Sequence, residues 1–296
     1  VGVVNSIFSF SPREASEFPR WTFQNIDVDY DARSRSVWMY YKENGPPFCS
    51  LQTLIDVASL RESLRLLVTS IYKDDFPIHY FVMASRKPGV FNLGGDLAMF
   101  AQSIRDQERE PLRAYAHACI NVVHSLTTAF GLAIVTLSVI TGQALGGGLE
   151  AALAEDFLLA DETAQLGVPE AAFNTFPGMG AVSLLSRRLG DARAEEIIAS
   201  GKVYSGRQMF EMGVVDILAS EGQARAVALA WMSEGGQERY ERRLAIAGAR
   251  RRFFPVSYDE LIKITDLWVN CSFDVTPQDI RHMERLAAAQ KRMGMS

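Results

Sequence analysis

Two glutamates stand in otherwise apolar segments: Glu150 in LGGGLEAALA and Glu170 in LGVPEAAF. Apolar surroundings raise a carboxyl pKa, whereas a helix's first turn favours the anion, so such a pair can divide into an acid and a base. Gly146, Gly147 and Gly148 follow an apolar β-branched run and precede a short helical pattern. That order places bare backbone NH groups at a strand-to-helix turn, where negative charge is stabilised. The segment Phe91 to Phe100, FNLGGDLAMF, repeats the composition: a strand end, Gly94 and Gly95, then a helix with Asp96 in its first turn. Taken alone, these glycines permit a tight turn and Asp96 caps a helix. Taken together, the two turns can supply two NH donors to one oxygen. The chemistry expected is acid/base catalysis on a substrate that develops negative charge, with Glu150 as base and Glu170 as the acid that protonates a leaving hydroxyl. Turnover can exchange these roles.

Other chemistries fit less well. Gly146, Gly148 and Ala151 satisfy a G-x-G-x-x-[GA] fingerprint, with Glu170 as the later acidic residue. However, Glu150 would sit where two phosphates must bind, and the helix before the run DFLLAD is too short for the usual βαβ unit. No G-x-S-x-G elbow is present. His79, His117, His124 and His282 show no metal-ligand spacing and no evident carboxylate partner, so no metal is expected. Arg187, Arg188 and Arg250 to Arg252 read as solvated helix faces, with a landing patch for phosphopantetheine or an acidic carrier as the minority reading.

The elements that must position these residues read as α/β. A strand over Ser36 to Tyr41 precedes a turn through Asn44, Gly45, Pro46 and Pro47; a helix follows over Thr53 to Tyr72 and a buried strand over Pro77 to Ser85. Helical pattern resumes over Pro111 to Thr128, and Ala133 to Thr141 supplies the next strand. Strands alternating with helices imply crossovers. Short helices with glycine stops follow Gly180, and four helical patterns begin at Ala224, Gln237, Ser257 and Pro277, the last with Thr276 as cap. The organisation expected is an N-terminal arm over 1–30, partly disordered, a core over 31–216 and a helical region over 217–296.

The chain of 296 residues is 48% hydrophobic and 22% charged, enough for a sizeable core. A net charge of −5 gives no support to nucleic-acid or membrane-surface binding. Asn121 to Leu149 lacks charge, yet its His, Ser, Thr, Gln and Gly divide it into a helix end, a strand and a turn rather than a membrane span. The opening VGVVNSIFSFSPRE lacks the pattern of a signal peptide. Cys49, Cys119 and Cys271 are odd in number and widely spaced, so buried free thiols and a cytoplasmic location are expected.

FNLGGDL resembles the first oxyanion motif of the crotonase (enoyl-CoA hydratase) superfamily, and ALGGGLEAAL, GVPE and FPGMGA resemble its second oxyanion turn, second glutamate and following loop. The resemblance covers roughly Ser36 to Ala219 and implies a ClpP/crotonase-like ββα superhelix with a C-terminal helical trimerisation region. It also implies an acyl-thioester substrate whose carbonyl oxygen accepts the NH groups of Leu93 and Gly147, with catalysis by Glu150 and Glu170. FNLGGDLA, together with ITDLWV from Ile264 to Val269, is similar to one branch, the RpfF-type synthases of diffusible signal factor, a quorum-sensing signal. That likeness implies dehydration of a 3-hydroxyacyl group on acyl carrier protein to a cis-2-enoyl thioester and its hydrolysis to the free acid. It implies no cofactor beyond the phosphopantetheine of the carrier or CoA, a homotrimer or dimer of trimers, and capture by a sensor kinase. An enoyl-CoA hydratase or isomerase, and a non-catalytic scaffold, are the alternatives. Gly94, Gly146, Leu149, Met179 and Trp268 are the pocket candidates, by position and type.

Overall fold

The computed structural model describes residues 18–70 and 78–295. The first seventeen residues of the expected arm, and residues 71–77, which hold the end of the first expected helix and the start of the following strand, lie outside them.

Two sheets organise the chain. The larger runs β1 (Ile26–Asp31), β2 (Ser36–Tyr41), β3 (Tyr80–Ser85), β5 (Val135–Ile140), β7 (Phe157–Asp161) and β10 (Ile217–Ala219), in that spatial order. All its neighbouring pairs are parallel except β1 with β2. The smaller sheet is β4 (Val90–Asn92), β6 (Gln143–Leu145), β8 (Gln165–Gly167) and β9 (Val203–Ser205). The chain therefore repeats one step. A long strand in the first sheet turns sharply into a short strand of the second, and a helix or helical turn returns it: β3 to β4, β5 to β6, β7 to β8. The corners stack so closely that a side chain at Gly142 would lie 2.2 Å from the carbonyl carbon of Gly89.

The helices close the core. α1 (Leu51–Ser70), α2 (Leu97–Arg105) and α3 (Arg109–Thr127) cover one face of the large sheet, joined by α4 (Gly147–Leu153) and α5 (Ala181–Leu189). α6 (Asp191–Ser200) and α7 (Gly206–Glu211) lead to β10, and α8 (Ala224–Ser233) and α9 (Gly236–Phe253) pack on the opposite face, against Trp38, Tyr80 and Leu159. α10 (Tyr258–Ser272) returns along α3, and α11 (Pro277–Met295) lies on α2. As expected, Thr276 caps α11: its hydroxyl accepts from the Asp279 NH, while Asp279 accepts from the Thr276 NH at 2.8 Å.

Three features depart from the sequence reading. Ile26–Asp31, read as arm, is an edge strand. Its Ile26, Val28 and Tyr30 alternate with Asp27, Asp29 and Asp31, a half-buried strand period that the sequence reading passed over, and Asp27 and Asp29 pair with Arg86, each at 2.6 Å. The small-sheet strands have only three residues each, too few to show a period. Arg187, Arg188 and Arg251 are not free faces: they pair with Glu260, Asp216 and Asp156 and so tie α5 and α9 to their neighbours. No helix of the described residues is long and apolar enough to cross a membrane.

Candidate active site

β4, β6 and β8 are parallel neighbours, so their carboxyl ends lie side by side. β4 delivers Leu93 to Gly95, β6 delivers Gly146 to Gly148, and β8 delivers Pro169 and Glu170. Glycine is required where these turns meet. A Cβ at Gly148 would lie 2.2 Å from the Asn92 carbonyl oxygen, and one at Gly94, where φ is +89°, 2.8 Å from that of Leu145. Gly146 has φ +50°, and a Cβ there would lie 2.5 Å from Oε1 of Glu170. The missing side chain is what lets the second glutamate come up against the turn.

These turns wall a cavity of about 200 Å³. Leu93, Gly94, Gly146, Gly147, Glu170, Met179 and Trp268, all singled out from the sequence, line it. Glu150 sits one layer deeper and is fully buried. Its Oε1 accepts from the NH groups of Met179 at 2.8 Å and Ala181 at 2.9 Å, and Ala181 is the first residue of α5, whose positive end favours the anion. Burial nevertheless wins and pushes the Glu150 pKa up against the opposing pull of those two NH groups. Glu170 is pushed up by burial and by the Glu150 charge, with no such donor pair to counter it. Two mutually repelling buried carboxyls retain a proton into the neutral range, and Glu170, which lacks the donor pair that holds Glu150, keeps it more firmly. Oε2 of both glutamates, and the indole Nε1 of Trp268, are buried without a hydrogen-bond partner among the described residues.

Two expectations change. Leu149 is buried in the core and does not line the cavity, because adjacent positions on α4 point to different faces and its neighbour Glu150 takes the site side. Leu93 lines the cavity, but its NH donates to the Pro47 carbonyl at 2.7 Å, and the Gly94 NH donates to Oδ1 of Asn92 at 2.9 Å. Gly147, the other expected donor, is the first residue of α4 and lines the cavity. Asp96 caps α2, accepting from Met99 at 3.1 Å. His117 does have a carboxylate partner, Asp266 on α10 at 2.9 Å, a pairing across 149 positions that no local pattern reveals. No cluster of metal-ligating side chains exists among the described residues.

The sequence reading missed α11 as part of the site. Leu286, Ala289, Gln290 and Met293 roof the cavity. Gln290 donates to the carbonyls of Leu93 at 3.0 Å and Gly95 at 3.2 Å, fixing the roof to the first turn. A glutamine inside an amphipathic helix carries no local sign of such a partner. From α10, Thr265 donates to the Gly178 carbonyl at 2.6 Å and holds the loop that presents Met179.

The enoyl-CoA hydratase/isomerase sequence profile matches residues 68–240. The chain belongs to this family. Two sheets stepped by ββα repeats are the crotonase fold that the family shares with solved neighbours. An enoyl-CoA hydratase/isomerase from Xanthobacter autotrophicus Py2 superposes with a TM-score of 0.70 at 18% identity, over 93% of this chain and 97% of that one. Pseudomonas aeruginosa DspI superposes at 0.62 with 26% identity, over 86% and 92%. In sequence, the chain is 28% identical over 205 residues to the fatty acid oxidation complex subunit alpha of Pseudomonas aeruginosa (strain LESB58), covering 69% of this chain but 26% of that protein. It is 32% identical over 151 residues to the mitochondrial methylglutaconyl-CoA hydratase of Rattus norvegicus, over 51% and 46%. The chain thus spans about a quarter of the length of the oxidation-complex relative and about half that of the hydratase.

Proposed function

We propose that this crotonase-fold protein dehydrates a 3-hydroxyacyl thioester and then hydrolyses the cis-2-enoyl thioester to the free acid, as its resemblance to the RpfF-type synthases implies. The observation that carries an acid/base reading is the pair of buried glutamates with unequal support beside a glycine turn. Glu150, whose oxygen is held by two NH groups, starts ionised and Glu170 starts protonated. Glu150 takes the proton from C2 and negative charge moves to the thioester oxygen, which accepts the Gly147 NH. For Leu93 to be the second donor, its NH exchanges the Pro47 carbonyl for that oxygen, replacing a neutral hydrogen bond by a charge-assisted one. The C3 hydroxyl then leaves as water with the Glu170 proton, and the C2=C3 bond forms.

That step leaves Glu150 protonated and Glu170 ionised, the opposite of the start. Glu170 can then take a proton from water as its oxygen adds to the carbonyl carbon. Collapse of the tetrahedral oxyanion expels the thiolate, which takes the proton from Glu150. Both glutamates return to their first state, so the two half-reactions close a cycle without an external base. The acyl group arrives on the phosphopantetheine of acyl carrier protein in this reading, and the assembly is a homotrimer or a dimer of trimers.

A 2-enoyl-CoA hydratase or isomerase is the second reading, favoured by the names of the curated relatives. Mass spectrometry of the products from 3-hydroxydodecanoyl carrier protein separates the two. Free cis-2-enoic acid is expected from the wild type, with turnover about 100-fold or more lower in Glu150→Gln and Glu170→Gln. A trans-enoyl thioester with no released acid would establish the hydratase instead, and no turnover would leave a non-catalytic scaffold.

A further inference from the structure

α11 carries a stripe of cations that the fold leaves without counter-charges. Arg281, Arg285, Ala288 and Arg292 recur at i, i+4, i+7 and i+11, so they share one face of the helix, and all four are exposed. The two acids of α11 are engaged elsewhere, Asp279 with the Thr276 cap and Glu284 with Arg105 on α2. Arg285 donates to Nδ1 of His282 at 3.2 Å, and no carboxylate among the described residues pairs with any of the three arginines of the stripe. Arg86, Arg187, Arg188 and Arg251 differ, each meeting a carboxylate. The helix dipole accounts for Arg292, in the last turn of α11, and for neither of the others. The stripe borders the catalytic cavity. Leu286 and Met293, which roof that cavity, each follow an arginine of the stripe by one position, and Met293, 37% exposed, is where the roof reaches the surface. The turn Pro169–Phe173 forms another wall and packs on α11, but its exposed residues Ala171 and Ala172, and Asn174 after it, are uncharged.

We propose that this stripe is the docking surface for the acidic carrier protein that delivers the acyl group, an inference that rests on the thioester reading above. A thioester presented on a protein enters acyl group first, so the body of the carrier stops at the mouth of the cavity, against whatever faces outward there. Arginine pairs with carboxylates through a bidentate fork, and three such forks spread over about 16 Å of helix match a surface rich in Asp and Glu rather than a single phosphate. A convex helix ridge also offers no hollow for the nucleotide that a CoA thioester would bring. The chain as a whole carries a net charge of −5, which repels an acidic partner at a distance. A local basic stripe beside the cavity gives such a partner an orientation as well as an attraction, because approach on that side is the less opposed.

Turnover and binding test this separately. Arg285→Glu and Arg292→Glu should each lower kcat/KM for 3-hydroxydodecanoyl carrier protein, relative to that for 3-hydroxydodecanoyl-pantetheine, by about tenfold or more, and through KM rather than kcat. Arg242→Glu, an equal change of charge at an exposed position of α9, should leave that ratio where it is. A ratio that holds in both stripe variants, or that falls equally in Arg242→Glu, overturns the inference. If the wild type converts neither thioester, the dehydratase reading fails on its own and the second experiment decides. With holo carrier protein bearing no acyl group, a carbodiimide should couple carrier carboxylates to the amine of Lys291, the single lysine of α11, exposed beside the stripe. Arg285→Glu should lower the yield of that product about fivefold or more. Coupling confined to lysines away from α11, such as Lys202 and Lys263, overturns the inference. So does coupling of Lys291 to a second copy of this chain alone, or no coupling at all.

Discussion

At the scale of single residues, the site depends as much on what Gly146 lacks as on what the glutamates carry. Gly146→Ala would place a methyl 2.5 Å from Oε1 of Glu170 and impose a side chain on φ +50°. The strain is about 1–3 kcal/mol, and Glu170 must shift from the turn. The expected result is a fall in kcat of at least tenfold with a smaller change in Tm, read by steady-state kinetics beside thermal unfolding. Glu150, Glu170 and the glycines were legible in the sequence because charge inside an apolar run, and repeated glycine after a strand, are local signals. The Pro47 carbonyl on the Leu93 NH and Asp266 beside His117 were not, since each joins segments far apart in the chain. Leu149 was misassigned for a related reason: residue type cannot tell which of two adjacent helical positions faces the site.

At the scale of elements, α11 carries the least expected role. Its length and capping were readable from Thr276 and Pro277, whereas its position over the cavity depends on packing against α2, which periodicity does not encode. Gln290→Ala removes two hydrogen bonds to the first turn, at Leu93 and Gly95, and should lower stability by about 1–2 kcal/mol. Because those bonds hold the turn that lines the cavity, KM should rise as well. Glutamate at the same position, able to accept but not donate when ionised, should not restore either quantity, as denaturant titration and kinetics would show. β6, β8 and β9 escaped sequence reading, yet the parallel order of β4, β6 and β8 is what gathers the turns and Glu170 at one end. Long strands were legible because six residues suffice to display burial.

At the scale of the whole molecule, buried acids make stability fall as pH rises. Glu155 is 3% exposed, and neither carboxylate oxygen has a hydrogen-bond partner among the described residues. Burial, followed by the neighbouring charge of Asp156, holds its pKa well above the usual range. A folded-state pKa above the unfolded value contributes stability that is complete below about pH 4.3 and is lost as pH rises through the folded pKa. Glu155→Gln removes the ionisation. The stability difference, variant minus wild type, should therefore be more positive at pH 8 than at pH 5, and a difference that does not grow with pH would contradict the assignment. The α/β class followed from the order of elements and the stepped fold from the resemblance of the glycine motifs, while the edge strand β1 was passed over although Ile26, Val28 and Tyr30 alternate with Asp27, Asp29 and Asp31. Those aspartates have a further effect on molecules that meet one another. An open sheet margin invites a passing strand to add itself, but here a newcomer beside β1 would have to settle against two carboxylates and a guanidinium already satisfied by each other. The Arg86 clamp thus makes this margin a poor seed for fibres.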